Sequence, residues 1–239
     1  MKEYFKLNPN REMIVTVITL GLMWAMYYAD NNLFKDSMVF PFVSLIFVVL
    51  GLCTVLPLFW VFRVTGEGLR GLGITTEKLA LSIIFSIILG VWRFIGIREY
   101  LSSPDLITTV LFNAFSIWEV MFIYGWLFTR YKRAFGKIPA VVLTAASVGI
   151  YHIGTLSIHN ILLLCLSVIV CGIFYMISGN IFTLWPLYWA IGCSASTLKS
   201  GMHFPVEMVY LSMVTLLIQL FIIIGFSIKN RPSAKSGLS

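Results

Sequence analysis

Charged side chains are scarce in this sequence: 11% of its 239 residues are Asp, Glu, Lys or Arg, whereas soluble domains carry roughly a quarter. This scarcity excludes a soluble globule, a coiled coil and a disordered chain, which all need more polar surface. Apolar residues are abundant instead, since 59% of the chain is hydrophobic and its mean hydropathy is +0.93. The composition therefore predicts an integral membrane protein.

Cysteine and histidine are also few, with four Cys and three His in the chain. All four Cys lie in apolar stretches without a CxxC pair or a His at ligand spacing, which favours buried thiols over a disulfide or a metal site. His203 and Glu207 are four residues apart, but Pro205 between them indicates a loop that enters a helix, which disfavours metal binding there. We therefore expect no metal and no other cofactor.

Eight apolar stretches, each near the length that crosses a bilayer, follow one another along the chain. Lipid offers the backbone no hydrogen-bond partners, so each stretch is predicted to be a helix, and the fold class is all-α, a polytopic bundle of about eight transmembrane helices. The stretches run approximately Met13 to Ala29, Met38 to Phe62, Leu79 to Ile97, Leu106 to Phe128, Ile138 to Leu156, Ile161 to Ile177, Ile181 to Leu198 and Val206 to Ile228. The connecting loops are too short for a second domain.

The basic residues indicate the orientation of these helices. With eight spans both termini lie on one side, and thirteen of the seventeen Lys and Arg then fall in the termini and in loops 63–78 and 129–137 of that side. The positive-inside rule places this side in the cytoplasm, and the formal charge of +7 then reflects anionic headgroups and not nucleic acid. The predicted organisation is a cytoplasmic N-terminal segment 1–12, a bundle 13–228 and a cytoplasmic tail 229–239.

Ionisable residues are predicted at membrane depth at four positions, where charge is costly and function is common: Arg93, Glu119, His152 and, nearer a span end, Lys199. Glu119 lies some ten residues, roughly 15 Å of helix, from the cytoplasmic end of the fourth stretch, with no Lys or Arg within a turn. His152 lies in the antiparallel fifth stretch, about 5 Å deeper, so that a water molecule can bridge the two side chains. Arg93 and Lys199 have side chains long enough to extend toward the outer interface, which is the structural role expected for each.

A deep carboxylate with a nearby imidazole has three possible uses. The carboxylate can take a proton from water while the imidazole orients the water or stabilises developing charge. The same two groups can form a proton relay in a small transporter, although the chain shows no inverted repeat. Alternatively, His152 bonds a backbone carbonyl and Glu119 only joins helices. These residues alone leave all three open.

Three segments carry a resemblance to a known family. Glu119 to Leu127 resembles the first motif, E-E-x-x-x-R-G, of the CAAX protease and bacteriocin-processing (CPBP or Abi) family, with the first Glu and the Gly in register. Val148 to His152 is similar to the second motif, F-x-x-x-H, and retains the His. Gly66 to Thr76 resembles the cytoplasmic loop that precedes the family's core. The resemblance covers roughly residues 63–195.

The resemblance implies an intramembrane endopeptidase in a bacterial plasma membrane, which hydrolyses a peptide bond of a membrane-associated protein or peptide. In that mechanism Glu119 activates water and His152 assists, without a metal. Tyr124, Tyr188 and Ser194 are the candidates for oxyanion or substrate contacts, because active members stabilise the oxyanion with a third motif, H-x-x-x-N/D. The partners implied are the lipid bilayer and the substrate, with no nucleic acid.

Several positions depart from the family pattern. Val120 replaces the second Glu, Tyr124 replaces the Arg and Val148 replaces the Phe. The third motif is expected between Leu187 and Ser196, and no His occurs there. An oxyanion donor contributes roughly 3 to 4 kcal/mol, so the loss of two can abolish turnover. The alternative prediction is therefore a member that has lost catalysis and acts as a membrane scaffold, a bacteriocin-immunity factor or a maturation factor.

Overall fold

The computed structural model describes residues 4–8, 11–37, 39–199, 201 and 204–230. In this part of the chain the regular structure is entirely helical, with no β-strand. His203 lies outside the described residues, so the predicted spacing of His203 and Glu207 receives no structural description.

The helices follow the apolar stretches closely. In chain order they are α1 (Arg11–Leu33), α2 (Phe42–Val64), α3 (Leu79–Tyr100), α4 (Leu106–Phe115), α5 (Ile117–Phe135), α6 (Lys137–Tyr151), α7 (Ile158–Ser178), α8 (Ser194–Lys199) and α9 (Val206–Lys229). Within the described residues, α1, α2, α3, α7 and α9 are each long and apolar enough to cross a bilayer. The prediction of a helical, membrane-embedded chain is confirmed to this extent.

Three of the eight predicted spans are not straight helices of full length. The fourth is bent by 49° between α4 and α5, where Ser116 leaves the helical conformation. The fifth, α6, has 15 residues. The seventh contains a 3-10 turn (Ile181–Thr183), a π-helical turn (Trp189–Cys193) and the short helix α8. The described helices therefore give five crossings by length, or six if the bent pair counts as one.

Helix α5 lies at the centre of the bundle. Every residue from Met121 to Phe128, a π-helical part of α5, is buried. The largest hydrophobic core cluster includes all of these apolar side chains and extends to residues of α1, α2, α6 and α7. A helix that is apolar on all sides can be buried on all sides, which is why α5 occupies this place.

The N-terminal segment, the loop before α6 and the ends of four helices meet at one end of the bundle, called here the basic end. The contacts are Lys6 N to Phe135 O (3.0 Å), Asn8 N to Ala134 O (2.8 Å), Lys78 Nζ to Ile177 O (2.8 Å) and the Phe62 ring to the Phe226 ring (5.9 Å). The predicted loop 129–137 is mostly helical, because Thr129–Phe135 continues α5. The segments that the sequence assigns to one side of the membrane nevertheless lie together in the fold.

A buried charge network holds the basic end together. Arg130 on α5 is fully buried and pairs with Glu12 and Glu67, each at 3.2 Å. Its Nη2 also donates to the carbonyl of Gly71 at 3.2 Å. Arg133 pairs with the same two carboxylates. Two acids and two bases thus neutralise one another and fix the start of α1 and the loop before α3 against α5.

Candidate functional site

Glu119 lies in the first turn of α5, directly after the bend at Ser116. The start of a helix carries a partial positive charge, which favours a carboxylate there. Glu119 is partly buried, and its Oε2 accepts a hydrogen bond from the indole Nε1 of Trp189 at 3.2 Å. The bend thus places an acid inside the bundle, where an N–H donor from another segment reaches it.

The groups around the Glu119 carboxylate are neutral and polar. Tyr27, Cys53, Tyr151 and Cys193 lie close enough to interact with it electrostatically. Tyr151 is fully buried, and its hydroxyl has no hydrogen-bond partner in the described part of the chain. No Lys or Arg among the described residues forms an ion pair with Glu119. Among the described residues, the acid therefore has one hydrogen-bond donor, the Trp189 indole, and no counter-charge.

His152 caps the C-terminal end of α6. Its Nδ1 lies 2.8 Å from the carbonyl oxygen of Val148, which fits a neutral imidazole that donates from Nδ1 and carries its free lone pair on Nε2. The imidazole ring packs against Tyr27 and Tyr151, with ring centroids 5.7 and 4.3 Å away. This bond to a backbone carbonyl is the one expected if His152 has a structural role and Glu119 only joins helices.

The structure gives no hydrogen bond between Glu119 and His152 among the described residues. Instead, both side chains have Tyr27 and Tyr151 as neighbours. The two tyrosine rings also contact each other, with centroids 5.3 Å apart. Glu119 and His152 thus share Tyr27 and Tyr151 as neighbours. The sequence does not single out either tyrosine.

Tyr124 and Tyr188, two of the candidate contact residues, lie on either side of Trp189. The Trp189 ring is 6.4 Å from Tyr124 and 6.3 Å from Tyr188, centroid to centroid. Tyr124 is buried, and its hydroxyl donates to the carbonyl of Val168 at 3.5 Å, a long bond. Both phenols also interact with the Cys171 thiol. Trp189 thus connects these tyrosines to Glu119.

Ser194, the third candidate contact residue, has structural partners for its hydroxyl. The side chain is buried, donates to the carbonyl of Ala190 and accepts from Asn113 Nδ2 at 3.1 Å. Since Asn113 belongs to α4 and Ser194 to α8, the bond joins two helices. The structure therefore does not bring the Ser194 hydroxyl into the group of side chains that interact with Glu119.

Trp189 is a further site residue that the sequence does not single out. It lies inside the window examined for the third motif, but 70 residues separate it from the carboxylate that its indole reaches. The one local signal is general: a buried indole N–H requires an acceptor. That signal does not identify which acceptor is used.

Two of the segments that carry the family resemblance pack directly on each other. Gly125 of the first motif lies so close to the loop before α3 that a Cβ at this position would be 2.7 Å from the carbonyl oxygen of Leu72. The next residue of that loop, Gly73, accepts a hydrogen bond at its carbonyl from the backbone N–H of Ile181 at 3.0 Å. A glycine is therefore required at position 125 by a neighbouring backbone atom.

Asn180 extends this contact to the segment before the third motif. Its Nδ2 donates to the carbonyls of Thr75 (2.8 Å) and Glu77 (3.0 Å), and its Oδ1 accepts from the N–H of Phe182 (3.0 Å). Asn180 is fully buried, so each of these bonds satisfies a group removed from water. The loop before α3, the middle of α5 at Gly125 and the segment 179–183 thus form one packed unit.

Comparison with known proteins identifies no relative. No protein-family model, curated protein or solved structure matches the chain. In addition, the described residues contain no group of three or more His, Cys, Asp or Glu side chains that could hold a metal ion. The chemistry of Glu119, His152 and their neighbours is therefore the basis for a function.

Proposed function

We propose that the chain is a CPBP-like intramembrane endopeptidase, in which Glu119 removes a proton from a water molecule that attacks a peptide carbonyl. The substrate is a membrane-associated protein or peptide. The observation that carries this proposal is the Glu119 carboxylate itself: it lies at a helix bend inside the bundle and has neutral hydrogen-bonding neighbours. Such a carboxylate has the chemistry of a general base.

Two features support Glu119 as the base. Burial makes an ionised carboxylate costly, and the Trp189 N–H and the start of α5 both offset part of that cost for Glu119, whose ionised form is the one that accepts a proton. No described cation forms an ion pair with it, so its lone pairs are not committed to a salt bridge. The Glu119 carboxylate therefore keeps the capacity to bind and deprotonate water.

Tyr151 and His152 are the groups that we propose to assist. The Tyr151 hydroxyl is buried without a partner among the described residues, and a buried hydroxyl of this kind commonly binds an internal water. The bond from His152 Nδ1 to Val148 leaves Nε2 as the proton acceptor of the ring. The proton that Glu119 takes from water then goes to the amine nitrogen as the C–N bond breaks, while the Tyr151 hydroxyl and His152 Nε2 serve as hydrogen-bonding groups for the water.

The proposed topology has eight membrane segments, with both termini in the cytoplasm of a bacterial cell. It counts the bent pair α4–α5 as one segment and includes two shorter ones, namely α6 and the interrupted stretch 181–199. The meeting of the N-terminal segment with loop 63–78 and the C-terminal end of α5 at the basic end supports it, because an even number of crossings returns the chain to the same side. Interrupted helices are tolerated within a membrane where other helices surround them.

A second candidate function is a non-catalytic relative that binds a membrane protein or peptide, as an immunity or maturation factor does. Three observations favour it. Glu119 and His152 share no hydrogen bond among the described residues, and the hydroxyls of Tyr124 and Ser194 already have partners. The window for the third motif also lacks a His. In this alternative the same side chains line a binding surface and no bond is cleaved.

The experiment that separates the two compares cells that express the wild type, Glu119→Gln, His152→Ala and the control Glu99→Gln. Glu99 is exposed at the end of α3, so the control makes the same chemical change away from the bundle interior. New protein termini in the membrane fraction are then identified by mass spectrometry. The endopeptidase proposal expects new termini with the wild type and Glu99→Gln and none with Glu119→Gln. Equal sets of termini in all four strains support the non-catalytic candidate.

A further inference from the structure

Arg93 is a cation at membrane depth without an acidic partner. It belongs to α3, fourteen residues from Leu79 at the basic end, or about 21 Å along the helix. Among the described residues, no carboxylate forms an ion pair with Arg93. An unpaired guanidinium is costly inside a bilayer, and it therefore marks a place where an anion is favourable.

The guanidinium turns toward the interrupted seventh stretch. Its Nη2 donates to the carbonyl of Gly192 at 2.8 Å and to the hydroxyl of Ser196. Its Nε is buried and has no hydrogen-bond partner in the described part of the chain. The Trp92 ring lies against the same group, with Arg93 Cζ 5.5 Å from the ring centroid. Arg93 is thus held in place by two neutral acceptors, while its Nε and Nη1 donors have no hydrogen-bond partner among the described residues.

This site opens toward the surface that lipid covers. Trp92, whose ring lies against the guanidinium, is 47% exposed, although Leu89 and Ile97, one turn away on the same face of α3, are buried. Ser196 is exposed as well, and Arg93 itself is half-buried. A ligand can therefore approach the guanidinium from the membrane without passing through the core.

Phosphate is the anion that this arrangement fits best. A guanidinium presents several N–H donors in a fixed plane and binds phosphate oxygens in pairs. The Ser196 hydroxyl accepts from Arg93 and donates to the Gly192 carbonyl at 3.4 Å, so it holds the guanidinium in place. Carbonyl and hydroxyl acceptors do not neutralise the charge, whereas a phosphate does. In a bilayer the abundant source of phosphate is the phospholipid headgroup, and Arg side chains near a span end reach toward it.

We propose that Arg93 and Ser196 form a phospholipid site that binds the lipid phosphate, at the end of the bundle opposite the basic end. The site is independent of the proposed peptidase activity. It explains how an arginine without an acid is stable next to the π-helical turn Trp189–Cys193. Its occupant is a lipid from the leaflet at that end, held by its phosphate.

The test measures lipid retention by native mass spectrometry on the full-length protein in detergent. Three probes are added separately: phosphatidylglycerol, diacylglycerol with the same acyl chains, and inorganic phosphate. The expected result is that the wild type retains phosphatidylglycerol and that Arg93→Gln retains roughly tenfold less, as loss of a charge-assisted contact implies. Diacylglycerol and inorganic phosphate are expected to bind neither protein measurably.

Arg98→Gln is the matched control, because Arg98 is exposed at the end of the same helix and the substitution removes the same charge. It is expected to retain phosphatidylglycerol like the wild type. If Arg93→Gln does not fold, Arg93→Lys keeps the charge but loses the planar pair of donors, and reduced retention is again expected. Unchanged retention in the Arg93 variant that folds, or equal binding of diacylglycerol, overturns the proposal. If inorganic phosphate binds and phosphatidylglycerol does not, the ligand of the site is free phosphate and the lipid proposal is wrong.

Discussion

The indole Nε1 of Trp189 donates a hydrogen bond to Oε2 of Glu119 across 3.2 Å. This bond joins two interruptions of the helical bundle, the bend at Ser116 before α5 and the π-helical turn Trp189–Cys193. Irregular helices at membrane depth need neighbours that satisfy their backbone and side-chain polar groups. The acid therefore lies where two departures from straight spans meet, and π-helical turns are frequent at functional sites.

Substitution of Trp189 by Phe removes this N–H and keeps an aromatic ring. Hydrogen bonds to charged groups contribute about 1.5–3 kcal/mol, so the ionised form of Glu119 becomes less favourable and cleavage falls about tenfold or more. The matched control is Trp185→Phe, because the Trp185 indole donates to the carbonyl of Ala114 and not to Glu119. The measurement is the yield of new termini in the membrane fraction. An unchanged yield with Trp189→Phe contradicts a role for this bond.

Substitution of Gly125 by Ala is expected to destabilise the fold, because the new Cβ would lie 2.7 Å from the Leu72 carbonyl oxygen. Overpacking against a backbone atom costs about 1–3 kcal/mol of unfolding free energy. The control is Gly225→Ala in α9, where a Cβ meets nothing within 4 Å. Thermal unfolding in detergent should show a lower midpoint for Gly125→Ala alone. Equal midpoints for both variants disprove the close packing of α5 on the loop.

Arg130 and Arg70 provide a paired test of the basic end. Arg130→Gln leaves two carboxylates near one another without their buried partner, and breaking a buried pair of this kind costs about 3–5 kcal/mol. Arg70→Gln removes an exposed pair with Glu77, which contributes at most about 1 kcal/mol. Chemical denaturation in detergent measures both changes. A similar loss of stability in the two variants contradicts the buried network.

The proposed orientation is tested by labelling single cysteines in a variant whose four native Cys are replaced by Ala. Arg70→Cys lies in the loop before α3, and Ser102→Cys lies in the exposed loop after it. A membrane-impermeant maleimide is expected to label Ser102→Cys in intact cells and Arg70→Cys only after the cells are opened. The reverse pattern contradicts cytoplasmic termini, and labelling of both in intact cells contradicts a full crossing by α3.

Much of the fold follows from hydropathy, because each span needs a run of apolar residues that is visible locally. The ends of α1, α3, α7 and α9 lie within a few residues of the predicted stretches. The bend at Ser116 and the breaks in the seventh stretch are not visible in this way. A bent span and a straight one have the same apolar length, and only packing against other helices decides between them.

The candidate site could be predicted in part. Glu119 and His152 stand out because a charge or an imidazole in an apolar run is unusual. Their neighbours Tyr27 and Tyr151 do not, since aromatic residues are common throughout the chain. Arg93 was expected to extend toward the interface, but its bond to Gly192 depends on a π-helical turn 99 residues away in the chain. Such long-range hydrogen bonds leave no local pattern in a single sequence.

Hydrolysis in ¹⁸O-labelled water tests the central claim most directly. Membranes from cells that lack the protein are incubated with the purified wild type or with Glu119→Gln, and new C-terminal peptides are examined by mass spectrometry. If Glu119 activates water for peptide hydrolysis, the wild type produces C-termini that contain an ¹⁸O atom and Glu119→Gln produces none. Identical labelled termini from both proteins, or none from the wild type, contradict the account.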